Sequence, residues 1–255
     1  MLFGTVPVAH AEDNVAAILY DEEGNVEKTL SEEDFSNPSN AITLHKQKLV
    51  LQQDVTIPLM ATANMVIGMQ AASNSTLDLN GYTLTFSSQN LETGSSSILG
   101  AIAVVESGDP SLQILNGKIV IDVPDGESLS SYAIVRMKGS VVMDNVELTT
   151  ARENQKLSAA VYGIVIGTES GDFGLENCVF DESTNKILDT MLNGADEWPE
   201  GDTFNIHSGS YPAITEDNDD HISIPEGSKK LENNPTGVTG SVITSEATTA
   251  MIVKD

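Results

Sequence analysis

The chain has 255 residues and a formal net charge of −26, from 38 Asp and Glu against 12 Lys and Arg. Hydrophobic residues make up 40% and charged residues 20%, which excludes an ordinary disordered chain, and the apolar runs fall far short of the roughly 20 residues a spanning helix needs. So large an acidic excess also excludes a nucleic-acid binder, whose phosphate contacts demand Lys and Arg.

The first residues, MLFGTVPVAHA, read as the end of a secretory signal. Leu2–Val8 supplies the apolar stretch and Ala9-His10-Ala11 fits the A-x-A cleavage pattern. An ordinary first β-strand is the alternative. With the signal, the mature chain begins near Glu12 and is expected to be secreted or held at a cell surface. Residues 12–60 then form a cap and a first coil. Val15–Tyr20 predicts a strand, Asp21–Asn25 its turn, Thr29–Phe35 a short helical turn, and Lys48–Ile57 another strand.

From residue 61 onward a repeat emerges. Five pairs of turn residues sit between short apolar runs: Asn80-Gly81, Asn116-Gly117, Asp144-Asn145, Glu176-Asn177 and Ser208-Gly209. The second members, Gly81, Gly117, Asn145, Asn177 and Gly209, are the residue types that adopt φ > 0 at least cost. Their spacings are 36, 28, 32 and 32 residues. Aligned on them, Leu79, Leu115, Met143, Leu175 and His207 stand two before the turn. Leu84, Val120, Leu148, Phe180 and Pro212 stand three after it. His207 and Pro212 break the two apolar columns, so the fifth unit is expected to be a degraded terminal repeat. Apolar runs at 65–69, 101–105, 132–135 and 161–166 precede the bends and predict one more strand per unit.

Three short strands per unit of about 32 residues exclude the four-stranded blade of a propeller and the shorter leucine-rich repeat. A sandwich would not require a turn residue at one frame in every unit. A parallel β-helix does, because stacked coils must bend at the same corner. The expected fold is therefore all-β: a parallel β-helix with three strands per coil and about five coils over 61–224, behind an N-terminal cap. Residues 225–255, rich in Pro, Thr, Ser and Gly, are expected to form a linker or tail with at most a weak strand at 250–253.

The segment Leu77-Asp-Leu-Asn-Gly-Tyr-Thr-Leu-Thr85 resembles a coil motif of the right-handed, pectate-lyase-like β-helices found in large Gram-positive surface proteins. Ile18–Asp21, Glu27–Asp34 and Leu49–Ile57 are similar to the cap of such regions, and His207–Tyr211 through Ile224 to their closing segment. The resemblance implies the handedness, an exported location and an adhesin-like role; the motif describes a structural corner and not an activity.

Enzymes of that fold need clustered carboxylates and a basic residue. The candidates, Glu106, Arg136, Lys138 and Glu169, with Asp109 and Asp172 beside them, fall where the first strand of a coil ends. The simpler expectation is a solvated charge ladder along that edge. No cofactor is expected. His10, His45, His207 and His221 lack metal-ligand spacing. Asp217, Asp219 and Asp220, in the densest carboxylate run, lack the Gly and Glu of an EF-hand frame and suggest at most a weak, hydrated Ca²⁺ site. Cys178, the only cysteine, is expected to be a small buried residue, and no intrachain disulfide can form. Trp198, in a polar loop, is the expected glycan-contacting residue, while Tyr132 and Tyr162 lie in apolar strands where packing is the usual fate. The function expected is a monomeric, non-catalytic surface scaffold that contacts carbohydrate or another cell-surface ligand. A polysaccharide lyase or hydrolase is the alternative.

Overall fold

The structure is a computed structural model. It describes residues 15–37, 42–63, 65–89, 91–92, 96–105, 111–124, 129–136, 139–166, 173–185, 187–193, 204–206, 209–211, 222–223, 228–231 and 241–245.

The chain opens with an antiparallel hairpin, β1 (Val15–Tyr20) and β2 (Val26–Ser31), followed by the short helix α1 (Glu32–Ser36). Asp34 closes the helix start by accepting from the Ser31 amide and hydroxyl. Winding then begins with β3 (Ile42–His45), β4 (Lys48–Leu51) and β5 (Val55–Pro58). The two-residue β6 (Met60–Ala61) precedes β7 (Val66–Ala72), β8 (Ser75–Asp78) and β9 (Thr83–Ser87). Next come β10 (Ile98–Val104) with β11 (Ser111–Ile121), and β12 (Ser130–Arg136) with β13 (Ser140–Thr150). In β11 and β13 the second and third sides of a coil run through the bend as one strand. After them stand β14 (Ala159–Ile166), β15 (Phe173–Glu176) and β16 (Cys178–Phe180), then β17 (Leu188–Asn193), β18 (Phe204–Ile206) and β19 (Gly209–Tyr211). The remaining strands are β20 (Ile222–Ser223), β21 (Ser228–Leu231) and β22 (Ser241–Ser245).

These strands stack in parallel as a β-solenoid of about four turns. A 7-stranded sheet, ordered β17-β14-β12-β10-β7-β3 with β6 beside β7, makes the first side. A 15-stranded sheet makes the other two. Hairpins close the long sheet at both ends, β1 pairing antiparallel with β4 and β22 with β19. Such closure covers the open ladder that an array end would otherwise present. The segment expected to be a spacer therefore contributes strands β21 and β22, while 250–253 lies outside the described residues.

The core is built from columns that the register fixes. On the second side Leu49, Leu77, Ile114, Met143 and Leu175 stack coil upon coil, all buried. On the third side the column is Val55, Leu84, Ile119, Leu148 and Phe180, again all buried. Val179 pairs with Ser210, so Tyr211 continues that column and meets the Phe180 ring edge-on at 5.2 Å. Within the 7-stranded sheet, β7, β10 and β12 are buried on both faces. Ala101–Ile102, Ala133–Ile134 and Ala160–Val161 enter the main core, whereas Tyr132, Val135, Ala159 and Tyr162 form a separate cluster. The Tyr132 and Tyr162 rings stack there at 4.5 Å. Both tyrosines are packing residues, as expected from their apolar strands.

The corner is real, but in the second and fifth units its frame shifts by one residue from the expected alignment. The left-handed residues are Asn80 (φ 52), Asn116 (φ 57), Asn145 (φ 55) and Asn177 (φ 53). Gly81 is also left-handed, at φ 85. Gly117 is not; its place in the second unit's corner belongs to Asn116. Gly209 has φ 129 but pairs with Cys178, one residue beyond Asn177. The position equivalent to Asn177 is thus 208, outside the described residues. At Gly117 and Gly209 alignment on the second member runs one residue late, whereas Gly81 keeps the third-side frame, three residues before the inward Leu84. The inward positions are accordingly Ile114 rather than Leu115, Ile119 rather than Val120, and Tyr211 rather than Pro212. The fifth unit is not degraded in its third-side column. Around Asn80 the bend is longer: 79–82 lie between the pairs Asp78–Leu115 and Thr83–Lys118, where the next coil has only 116–117. Leu79 is buried inside that insertion.

Asparagine does more at this corner than tolerate its φ. The Asn80 amide donates to Leu51 O at 3.0 Å, Asn116 to Asp78 at 3.3 Å, Asn145 to Asn116 Oδ1 at 3.4 Å and Asn177 to Asp144 at 3.3 Å. An amide carries both a donor and an acceptor, so each corner is tied to its predecessor. Asn145→Ala is expected to cost about 1–2 kcal/mol for the left-handed backbone and about 0.5–1.5 kcal/mol for the amide bond. Asn145→Gly keeps the backbone preference and should lose only the second contribution. Urea unfolding of both variants checks this; equal losses would remove the conformational share.

Candidate functional site

The described polar residues converge where the third side of each coil ends. Asp122 follows β11, and a depression of about 480 Å³ opens beside it, lined by Ser87, Ser88, Gln89, Leu91, Asp122, Pro124 and Arg152. Three successive coils supply these groups. The backbone places them: Asp122 N donates to Phe86 O at 2.8 Å and Ala151 N to Ile121 O at 3.0 Å, so stacking continues into the turns.

The Asp122 carboxylate is the hub. Its Oδ2 accepts from the Ser88 amide at 3.1 Å and hydroxyl at 2.6 Å. Its Oδ1 accepts from Arg152 Nη2 at 2.7 Å and Gln155 Nε2 at 3.2 Å. Gln155 is buried and also accepts from Val123 N at 3.1 Å while donating to Val123 O. Partial burial alone would raise the Asp122 pKa; the bonds from Ser88, Arg152 and Gln155 outweigh it and hold the group below the usual carboxylate range. A second ion pair obeys the same balance. Asp78 is pushed up by burial, but Lys48 at 2.9 Å, Asn116 and Asn80 bring it below its ordinary value.

Because the folded pKa of Asp122 lies below the unfolded value of about 3.9, its stabilisation is complete above that value. It is lost as the pH falls through the lower folded value. Asp122→Asn is therefore expected to melt below the wild type at pH 6 and to approach it as the pH falls from 4 to 2. Thermal unfolding across that range checks it, and a constant gap would remove the linkage.

Cys178 is buried, and its thiol donates to Met143 O at 3.4 Å and Glu176 O at 3.3 Å. Burial pushes its pKa up to about 12. It is the packing residue expected of a lone cysteine in an apolar strand. Burial, followed by the neighbouring Cys178, also raises the Tyr211 phenol.

Of the residues singled out at the end of the first strands, Arg136 is described and corrects the expectation. It closes β12, is 2% exposed, and its Nε donates to Gly139 O at 2.5 Å. Pairing with Val104 and Gly163 places it in a side buried on both faces rather than on a solvated ladder. Glu106, Lys138 and Glu169, with Asp109 and Asp172, lie outside the described residues. So do Trp198, Asp217, Asp219, Asp220, His10, His207 and His221. Among the described residues no group of three His, Cys, Asp or Glu could hold a metal ion. No helix among them is long and apolar enough to cross a membrane.

The Asp122–Arg152 cluster was not legible as a unit. Its one signal is a single polar residue just past each third-side strand, at Ser88, Asp122 and Arg152. Only the stacking of three coils joins them. Comparison of the chain with known protein families, curated proteins and solved structures finds no match.

Proposed function

We propose that the chain is a non-catalytic, exported surface module whose β-solenoid holds and spaces carbohydrate-contacting surfaces. The observation that carries this reading is the solenoid itself, whose buried columns and corner-to-corner hydrogen bonds commit the described residues to holding coil against coil; the shifted ionisations agree with it. Among the described residues, the carboxylates that shift (Asp21, Asp34, Asp78 and Asp122) all move down, and the Cys178 thiol and Tyr211 phenol move up. General acids need a raised carboxyl, and nucleophiles need a lowered thiol. These shifts run the other way, as they do in groups recruited to hold a structure together. The signal-like start and the resemblance of Leu77–Thr85 to pectate-lyase-like coils of Gram-positive surface proteins support export and a surface-rod role. The charge of −26 favours neutral over anionic polysaccharide.

Incubating the full chain with neutral and uronate polysaccharides should release neither new reducing ends nor unsaturated uronates, while a glycan array should register binding. Release of either product, lost on Glu106→Gln, Arg136→Gln or Glu169→Gln, would replace this reading with a lyase or hydrolase. Trp198→Ala tests the loop tryptophan as a glycan contact in the same array.

A further inference from the structure

The depression beside Asp122 has the chemistry of a ligand site, and it lies at the junction between the third side of one coil and the first side of the next. We propose that it binds the pyranose ring of a neutral glycan through Arg152, Gln89 and the Ser87–Ser88 hydroxyls. This rests on the glycan-contacting scaffold reading above and gives it a location.

Size is the first support. About 480 Å³ lies within the roughly 300–1,000 Å³ range of small-molecule sites. The second is preorganisation. Asp122, only 16% exposed, holds Ser88 on one oxygen and Arg152 and Gln155 on the other, so groups from three coils are fixed before any ligand arrives. Ordering costs are thereby reduced. Arg152 remains 47% exposed at the mouth, with its guanidinium oriented by that carboxylate.

The third support is ligand chemistry. Vicinal hydroxyls both donate and accept, which suits a wall of serine hydroxyls, a glutamine amide and a guanidinium. Leu91 and Pro124 add apolar surface for the C–H face of a sugar ring. Charge decides between neutral and acidic sugars. Asp122 cancels Arg152 locally, and the chain as a whole is strongly acidic, so a uronate gains little from the guanidinium and is repelled by the remainder. Asp122 is a positioning residue in this arrangement.

Calorimetric titration of the full chain with neutral oligosaccharides selected on a glycan array, and with an acidic oligosaccharide of equal length, tests the site. Arg152→Met should weaken neutral-glycan binding about tenfold or more, as expected for loss of a charge-assisted hydrogen bond. The exposed Gln89→Ala should weaken it several-fold without changing the melting temperature, which keeps the test decisive if the Arg152 variant is unstable. Wild-type binding untouched by either variant overturns the site while leaving the scaffold reading intact. Absence of neutral-glycan binding, or preference for the acidic ligand, also overturns it. Ligand cleavage by the wild type would instead overturn the scaffold reading.

Discussion

Gly117→Ala is expected to cost about 3 kcal/mol or more, at the upper end of overpacking penalties. Gly117 lies in the middle of β11, where a Cβ would come within 2.5 Å of Leu79 Cβ and 2.6 Å of Tyr82 O. Neither atom is the end of a flexible side chain. Its φ is not left-handed, so alanine there would otherwise gain about 0.4–1 kcal/mol by restricting the unfolded chain. The clash is several times larger and wins. Gly174 provides the opposite case. Its added Cβ would meet Val142 at 3.5 Å, an ordinary contact, so Gly174→Ala should be neutral or mildly stabilising. Urea denaturation of the two variants reads the contrast. Equal stability would show that Gly117 does not sit where the two-residue insertion at 79–82 forces the coils together.

Gly68→Ala is the second large effect, and it carries its own rescue. A Cβ at Gly68 would stand 2.2 Å from Phe86 Cδ1 and 2.6 Å from Cε1. The Phe86 ring is fully buried against the 7-stranded sheet and has no room to withdraw. The substitution should cost about 2–3 kcal/mol. Phe86→Leu alone should cost on the order of 1–2 kcal/mol by leaving a cavity. The double variant should be more stable than the sum of the two losses by about 1–2 kcal/mol, because each change relieves the other. Simple additivity would mean that the first and third sides do not interlock here. Alanine fills the corresponding inward place in the following strands, at Ala101, Ala133 and Ala160, so the tightest contact is confined to the coil that carries Phe86.

The solenoid was legible because it is written locally. A left-handed residue can be recognised by type, and an apolar residue two or three positions away by its side chain. Apolar runs at 65–69, 101–105, 132–135 and 161–166 became β7, β10, β12 and β14 for the same reason. What misled was the Asn-Gly pair. Both members tolerate φ > 0, and alignment on Gly117 moves both of that unit's columns by one residue, while alignment on Gly81 keeps Leu84 in the third-side column. In a strand a one-residue slip exchanges the inward and outward faces, so the core positions are Ile114 and Ile119, and Leu115 and Val120 lie on the other face. Residues 48–57, apolar enough to predict one strand, bend into β4 and β5.

The candidate site was far less legible. Asp122, Arg152, Gln155 and Ser88 are unremarkable in sequence, spread over about two coils and drawn from three different turns. Arg136 was legible as a charge and wrong as a surface group, since its burial depends on what covers both faces of the first side.

The amino-acid sequence by itself determined that the chain winds, where it bends and which residue types line its axis, because backbone preference and apolar periodicity are local properties. Tertiary structure alone decided the register, the burial of Arg136 and the meeting of Asp122 with Arg152. Those depend on how far apart in the chain the stacked residues lie, and bend lengths that vary from coil to coil set that distance.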